Sequence, residues 1–483
     1  MPADTASAIH ELMHHYHMYG WFNGAVLVGE KGEVVYSNGF GWADLEWRIP
    51  NTTDTKFCLG SITKQFTSML IIQLAEEGRL ALDGKVSTYL PYYREDTGSR
   101  LTLHNLLTHT SGLPNYTAQP GFAGKVARNP VKVEEFVKDH CSGDLEFEPG
   151  SEFSYSNSGY FVLGAVIEAV TGKDYEAVLR SRILDPLGMK DTGYDRSEPI
   201  LPKRAKGYEQ DLEGYRNCGF IDMTIPYAAG SMYSTVEDLH KWDRALRTEI
   251  LIPRSNRQRM LTPVHSNYAY GWLAFRLRPE NLARCVDPLG VEPDPDGMLI
   301  VTHGGGINGF GAAIFRAVSE QRVVILLNNT GGTILTQMAA NVLKVLYEQP
   351  YDLPKQPAAP LLYRTVKTDG ADRAMLTYRG WRESETGRYD TGELELLRLA
   401  RQCMRADRPG DAETVLRTAA ECFPASDTVM LDLAGCLLAQ GHKDQAVETL
   451  ERVLQRSPKL PGFVRRAILA QIAAARAAAP TSS

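Results

Sequence analysis

Apolar positions along the chain recur with two periods, and the switches between them mark out the elements. Residues 5–19 carry apolar side chains at helical spacing in a polar stretch, which predicts a short amphipathic helix. Residues 25–28 (Ala-Val-Leu-Val) and 34–36 (Val-Val-Tyr) flank a polar turn containing Gly32, which predicts a β-hairpin. From Ser61 onward Phe66, Met69, Leu70 and Leu74 return at helical spacing, and Gly78 supplies a stop, so a helix is expected over 61–78. Residues 80–250 are mainly helical with many turns, clearest at 103–107 and 161–170. Strand patterns return at 298–303 and 322–328, with a third at 312–315 between them, before a helix over 333–347. Strands at both ends with helices between them predict one sheet joining the two ends of this region, of class α/β or α+β rather than a simple βαβ series.

The pattern changes after residue 348. Pro350, Pro354, Pro357 and Pro360 crowd residues 348–361, the best domain boundary in the chain. Beyond it the sequence is rich in Ala, Leu and Arg and repeats with a 34-residue period. Leu399-Ala400 returns as Leu433-Ala434, Ala412 as Ala446, Leu416 as Leu450 and Pro424 as Pro458. Small residues where helices cross, and Pro after the second helix, match the tetratricopeptide pattern; a generic helical bundle is the alternative. Helices near 370–384 and 462–476 could cap two such repeats. The expected organisation is a first domain over 1–350, a linker with a capping helix over 351–384, and a helical domain over 385–483. The helical domain would bind a protein partner or dock on the first domain.

Composition narrows the function classes. The chain has 483 residues, 43% of them hydrophobic and 23% charged, as in ordinary globular proteins. A net charge of -6 gives no basic face for nucleic acid. No apolar run approaches the roughly 18 residues that a membrane helix needs. The start, Met1-Pro2-Ala3-Asp4, shows no secretory leader, so the expectation is cytoplasmic, or exported if a leader has been removed. Seven Cys without a C-x-x-C pair argue against a disulfide framework and a structural zinc site.

Three short motifs carry candidate chemistry: Ser61-Ile62-Thr63-Lys64, Tyr155-Ser156-Asn157 and His303-Gly304-Gly305-Gly306. Residues three apart on a helix share a face, so the Lys64 amine can reach the Ser61 hydroxyl. Serine is a weak nucleophile that needs an adjacent base, and lysine can serve only if its pKa is lowered. A phenol such as Tyr155 can shuttle a proton between nucleophile, leaving group and water. The Asn157 amide can bind a substrate carbonyl and hold Lys64. Glycines following the apolar run 298–301 allow a backbone to approach closely. Taken singly, each motif also fits a plain helix start, a capping turn or a glycine bulge. Together they assemble a serine acyl-transfer site without a Ser-His-Asp triad.

With these motifs in this order, the chain resembles the serine β-lactamase and penicillin-binding-protein superfamily, and most the class C-like branch with its D-aminopeptidases, D,D-peptidases and esterases. The resemblance spans roughly residues 8–350 and includes the blocks 39–44 (Gly-Phe-Gly-Trp-Ala-Asp), 103–114 (Leu-His-Asn-Leu-Leu-Thr-His-Thr-Ser-Gly-Leu-Pro) and 228–239. It implies a mixed sheet flanked by helices, a helical subdomain, and a site between them. It also implies acylation of Ser61, with Lys64 and Tyr155 sharing base work in a division the sequence leaves open. Asn157 would orient the substrate, and the N–H groups of Ser61 and Gly306 would form the oxyanion hole. No metal or organic cofactor is implied. A β-lactamase usually has Lys where this chain has His303; histidine is mostly neutral at pH 7, which favours a peptidase or esterase over a β-lactamase. A non-hydrolytic sensor of cell-wall peptides or lactams and an acyltransferase are the alternatives.

One motif competes. His10-Glu11-Leu12-Met13-His14 matches the H-E-x-x-H zinc-peptidase signature. It lies at the N-terminus on a short helix, and a zincin also needs a third ligand and a cleft. A partly solvated packing helix is the expected reading.

Overall fold

The N-terminal hairpin and the late strands meet in one six-stranded sheet. In this computed structural model, which describes residues 3–477 apart from 123, 125, 293, 386, 459 and 461, the strands are β1 (Gly24–Glu30), β2 (Glu33–Phe40), β3 (Leu273–Leu277), β4 (Met298–Ile307), β5 (Phe310–Ala317) and β6 (Arg322–Asn328). Met1 and Pro2, part of the stretch read for a leader, lie outside the described residues. The sheet order is β3-β4-β5-β6-β1-β2. All five ladders are antiparallel, so the sheet expected to be mixed is not. The reason is connectivity: β3 to β6 run back and forth in chain order, and the hairpin β1–β2 joins through an antiparallel β1–β6 ladder, Gly24 facing Asn328.

Strand alternation gives the sheet two buried faces. Val26 and Val28 of β1 and Val324 and Leu326 of β6 face one core, shared with Ile9, Leu12 and Met13 of the helix Ala3–Met18 and with Met338 and Val342 of the helix Leu335–Leu346. Ala25 and Leu27, with Val323, Ile325 and Leu327, face the other core, shared with the helices Thr63–Glu76, Asn157–Thr171 and Val236–Ala245. Both faces are covered by helices because both sets of alternate residues are apolar.

By compactness the chain divides into Met1–Glu209 with Arg216–Asp352, and Gln210–Tyr215 with Leu353–Ser483. In the second unit the helices Ala358–Asp369, Ala371–Ser384, Glu393–Arg405, Pro409–Cys422, Asp427–Ala439 and Lys443–Arg456 pack as three successive pairs, followed by Gly462–Ala477. The repeated positions are its core: Leu399, Leu433, Ala400, Ala434, Ala412, Ala446, Leu416 and Leu450 are all buried. Among the described residues no helix is long and apolar enough to cross a membrane.

Candidate active site

Ser61 begins the site on a tight turn. The segment Gly60–Ile62 is a single 3-10 turn, and the α-helix proper runs Thr63–Glu76. The expected α-helix over 61–78 therefore starts two residues later, after Gly60 at φ +52, a conformation that suits glycine. The turn is tied from both sides. The Leu59 N–H donates to the Met232 carbonyl (2.8 Å), and the Met232 N–H donates to the Thr63 hydroxyl (3.2 Å).

Strand β4 lies directly against this turn. A Cβ on Gly305 would sit 1.9 Å from the Leu59 carbonyl oxygen, and one on Gly60 would sit 2.8 Å from the Gly306 nitrogen. Backbone thus packs on backbone where Leu59–Ser61 meets Gly305–Gly306. Neighbouring β3 pairs with β4 only as far as Thr302, so the stretch from His303 is ladder-bonded on its β5 side alone. A test follows from the two adjacent glycines. Gly305→Ala is expected to cost about 1–3 kcal/mol from overpacking. Gly306→Ala, whose Cβ meets nothing within 4 Å, should leave stability unchanged. Thermal melts of the two variants compare them directly; equal melting temperatures would contradict the close approach.

Lys64 is fully buried, and burial holds its pKa well below the usual lysine value. Its Nζ lies 3.0 Å from Ser61 Oγ, 2.8 Å from Asn157 Oδ1 and 2.8 Å from the Ala229 carbonyl oxygen. The Tyr155 ring lies 5.0 Å from Nζ, and the Ser61 side chain is close enough to the Tyr155 phenol to favour its ionised form slightly. Burial pushes the Tyr155 pKa up, so at neutral pH it is a phenol. Asn157 opens the helix Asn157–Thr171 and is oriented by Asn115, whose Oδ1 accepts from the Asn157 main-chain N–H (3.2 Å) and from Nδ2 (3.3 Å). Asn115 and the Ala229 carbonyl are site groups the sequence did not single out. Ala229 lay inside the block 228–239, and Asn115 follows the block ending at Pro114.

His303 is buried. Its Nδ1 is 2.6 Å from the Gly304 carbonyl oxygen and its Nε2 is 3.0 Å from the Tyr268 hydroxyl. A carbonyl only accepts, so Nδ1 carries the proton and the bare Nε2 accepts from Tyr268. Burial, then the nearby Lys64, lowers the His303 pKa to about 4. Ser61, Lys64, Tyr155, Asn157 and His303–Gly306 are thus brought together from chain segments up to 245 positions apart. The His10-to-His14 motif does not join them: its two rings stack 6.2 Å apart, and His10 Nδ1 bonds the Tyr36 hydroxyl. Among the described residues no group of three or more His, Cys, Asp and Glu side chains is placed to hold a metal ion.

Comparison with known proteins agrees with this geometry. A tetratricopeptide repeat model matches residues 403–463. A penicillin-binding protein of Bacillus subtilis (strain 168) is 31% identical over 365 residues, covering 70% of this chain and 75% of that protein. A teichoic acid D-alanine hydrolase of Staphylococcus aureus is 32% identical over 222 residues, 46% of this chain; the match spans only 53% of that relative's length. Among solved structures, a D-amino acid amidase from Ochrobactrum anthropi SV3, complexed with L-phenylalanine amide, superposes with a TM-score of 0.58 at 25% identity, covering 71% of this chain and 98% of the other. The beta-lactamase family model matches residues 5–347, the whole region that carries the sheet, both cores and the Ser61 cluster, and the chain is therefore a serine hydrolase belonging to that family.

Proposed function

We propose that this chain cleaves small amides and esters, D-aminoacyl compounds foremost, through an ester formed on Ser61. The observation that carries this reading is the hydrogen-bond inventory of Lys64. A neutral amine has two N–H bonds and one lone pair. The Ala229 carbonyl can only accept, and so can Asn157 Oδ1, whose Nδ2 is turned to Asn115. When the lowered pKa leaves the amine neutral, both N–H bonds are spent on them and its lone pair faces the Ser61 hydroxyl 3.0 Å away.

The chemistry follows in order. Lys64 takes the Ser61 proton as Oγ bonds to the substrate carbonyl carbon. The N–H groups of Ser61 and Gly306 stabilise the oxyanion. Tyr155 passes the proton to the leaving amine or alcohol as the C–N or C–O bond breaks. Water, deprotonated by the same pair, then attacks the ester and releases the acid and the free Ser61 hydroxyl. Asn157 orients the carbonyl group of the substrate.

Substrate class turns on His303. With a pKa near 4 it holds no charge at neutral pH, so it offers no ammonium to a carboxylate on the leaving side. β-Lactams and D,D-peptides carry such a carboxylate; simple D-aminoacyl amides and esters do not. Two relatives, named a D-alanine hydrolase and a D-amino acid amidase, support the same class. A panel of D- and L-aminoacyl p-nitroanilides, p-nitrophenyl esters and nitrocefin tests it. Turnover of D-aminoacyl substrates with slow nitrocefin hydrolysis is expected; rapid nitrocefin hydrolysis at neutral pH would sink the assignment. His303→Lys should raise nitrocefin acylation by about tenfold or more, the scale of one charge-assisted bond. An unchanged acylation rate would show that the charge at this position does not select the substrate.

A further inference from the structure

One buried imidazole close to the site has no part in the chemistry above. His109 follows the helix Leu103–Leu107, whose first turn is fixed by a reciprocal cap between Thr102 and Asn105. Its φ is +57, in the left-handed region that side chains other than Gly and Asn enter at a cost. This conformation turns the ring inward, to 1% exposure. The ring centroid lies 4.2 Å from that of Tyr155, 4.5 Å from Tyr268 and 5.2 Å from Tyr160.

Its polar contacts straddle Tyr155. The His109 carbonyl oxygen accepts from the Ser154 N–H (2.9 Å), and His109 Nδ1 accepts from the Ser156 N–H (3.1 Å). The main chain is thus held on either side of Tyr155, while the ring packs on the phenol ring itself. A main-chain N–H only donates, so Nδ1 is bare and the proton is on Nε2. Burial and the nearby Lys64 and His303 keep the ring from taking a second proton, which would break the bond to Ser156. Among the described residues, His109 combines both main-chain anchors with ring packing on the phenol.

We propose that His109 is a positioning residue for Tyr155: it holds the phenol on the Ser61 hydroxyl by clamping the main chain at Ser154 and Ser156. This rests on the reading of Ser61 and Tyr155 given above. If Tyr155 hands a proton to the leaving group, displacing it harms amides more than activated esters. An amine leaves only when protonated, whereas p-nitrophenolate leaves as the anion.

The test compares kcat/KM, which reports the steps through acylation, for a D-aminoacyl p-nitroanilide and the matching p-nitrophenyl ester. His109→Leu keeps a buried apolar side chain and loses the acceptor; it is expected to lower kcat/KM about 100-fold on the anilide and less than about tenfold on the ester. His109→Asn tolerates the left-handed backbone and places Oδ1 where Nδ1 stands, so it should recover the wild-type ester-to-anilide ratio. In a Tyr155→Phe background His109→Leu should cost nothing further on the anilide, the signature of two residues acting as one unit. Equal losses on both substrates in the Leu variant, or full multiplication with Tyr155→Phe, would overturn the proposal. If the Leu variant fails to fold, the Asn variant decides the matter: a wild-type ester-to-anilide ratio is expected, and a selective loss on the anilide despite the retained acceptor would overturn the proposal. Retained activity in Ser61→Ala would overturn the parent reading instead, so the two failures are distinguishable.

Discussion

Ser61→Ala is expected to lower turnover of amide and ester substrates by roughly 10⁶-fold, the scale seen when a nucleophile that acts with its base as a unit is removed. The structure makes this a clean deletion. The change removes one oxygen, and Lys64 keeps its acceptors at Asn157 and Ala229. The tight turn Gly60–Ile62 is held by main-chain contacts to Met232 and β4 rather than by the Ser61 side chain. Thermal stability should therefore stay close to wild type while activity collapses. Steady-state kinetics beside a melting curve check both halves. Activity within tenfold of wild type would mean that another group is the nucleophile.

Lys64→Arg is expected to lower kcat/KM by about 10⁴-fold, near the upper end of the contribution of a general base. The substitution keeps a long N–H-donating side chain but replaces the base with a permanent cation, since arginine does not deprotonate in proteins. The sign of the pH dependence follows from the same group. Burial lowers the Lys64 pKa, and the amine works only when deprotonated. Activity should be full above the lowered value and fall as pH drops through it, with an acid limb well below the ordinary lysine pKa of about 10.4. His303 is not the source of a limb near neutrality, because its pKa lies at about 4. A kcat/KM profile that keeps rising up to the normal lysine range, or an active Arg variant, would contradict base work by Lys64.

Side chains with unusual chemistry were legible in the sequence; groups contributed by the main chain were not. Ser61, Lys64, Tyr155, Asn157 and the run His303–Gly306 announce themselves by residue type and spacing, and the geometry brings them together. Ala229 enters the site with a carbonyl, which its methyl side chain does not encode. His109 matters through a left-handed φ and the clamp that it makes possible, and neither has a local signal beyond a histidine after a short helix.

The fold shows the same split. The hairpin β1–β2 and strands β4 to β6 follow from short apolar runs bounded by turn residues, continuous in β1 and β6 because these are buried on both faces. The short edge strand Leu273–Leu277 carries too few residues for a period to stand out. That the ladders are all antiparallel depends on β1 settling beside β6, a pairing across some 300 positions that no local pattern fixes. In the tail, the repeated Leu and Ala are visible because each repeat buries the same positions. The helix Ala358–Asp369 is masked by the prolines around it. Pro360 sits in its first turn, where a missing N–H costs nothing.

The central claim is a covalent bond at one hydroxyl, and intact-protein mass spectrometry with peptide mapping after brief exposure to a slowly turned-over D-aminoacyl ester measures it most directly. Acylation should add one acyl mass, map to the peptide containing Ser61, and vanish in Ser61→Ala. An adduct on a different residue, or turnover with no adduct trapped even when water attack is slowed, would contradict it.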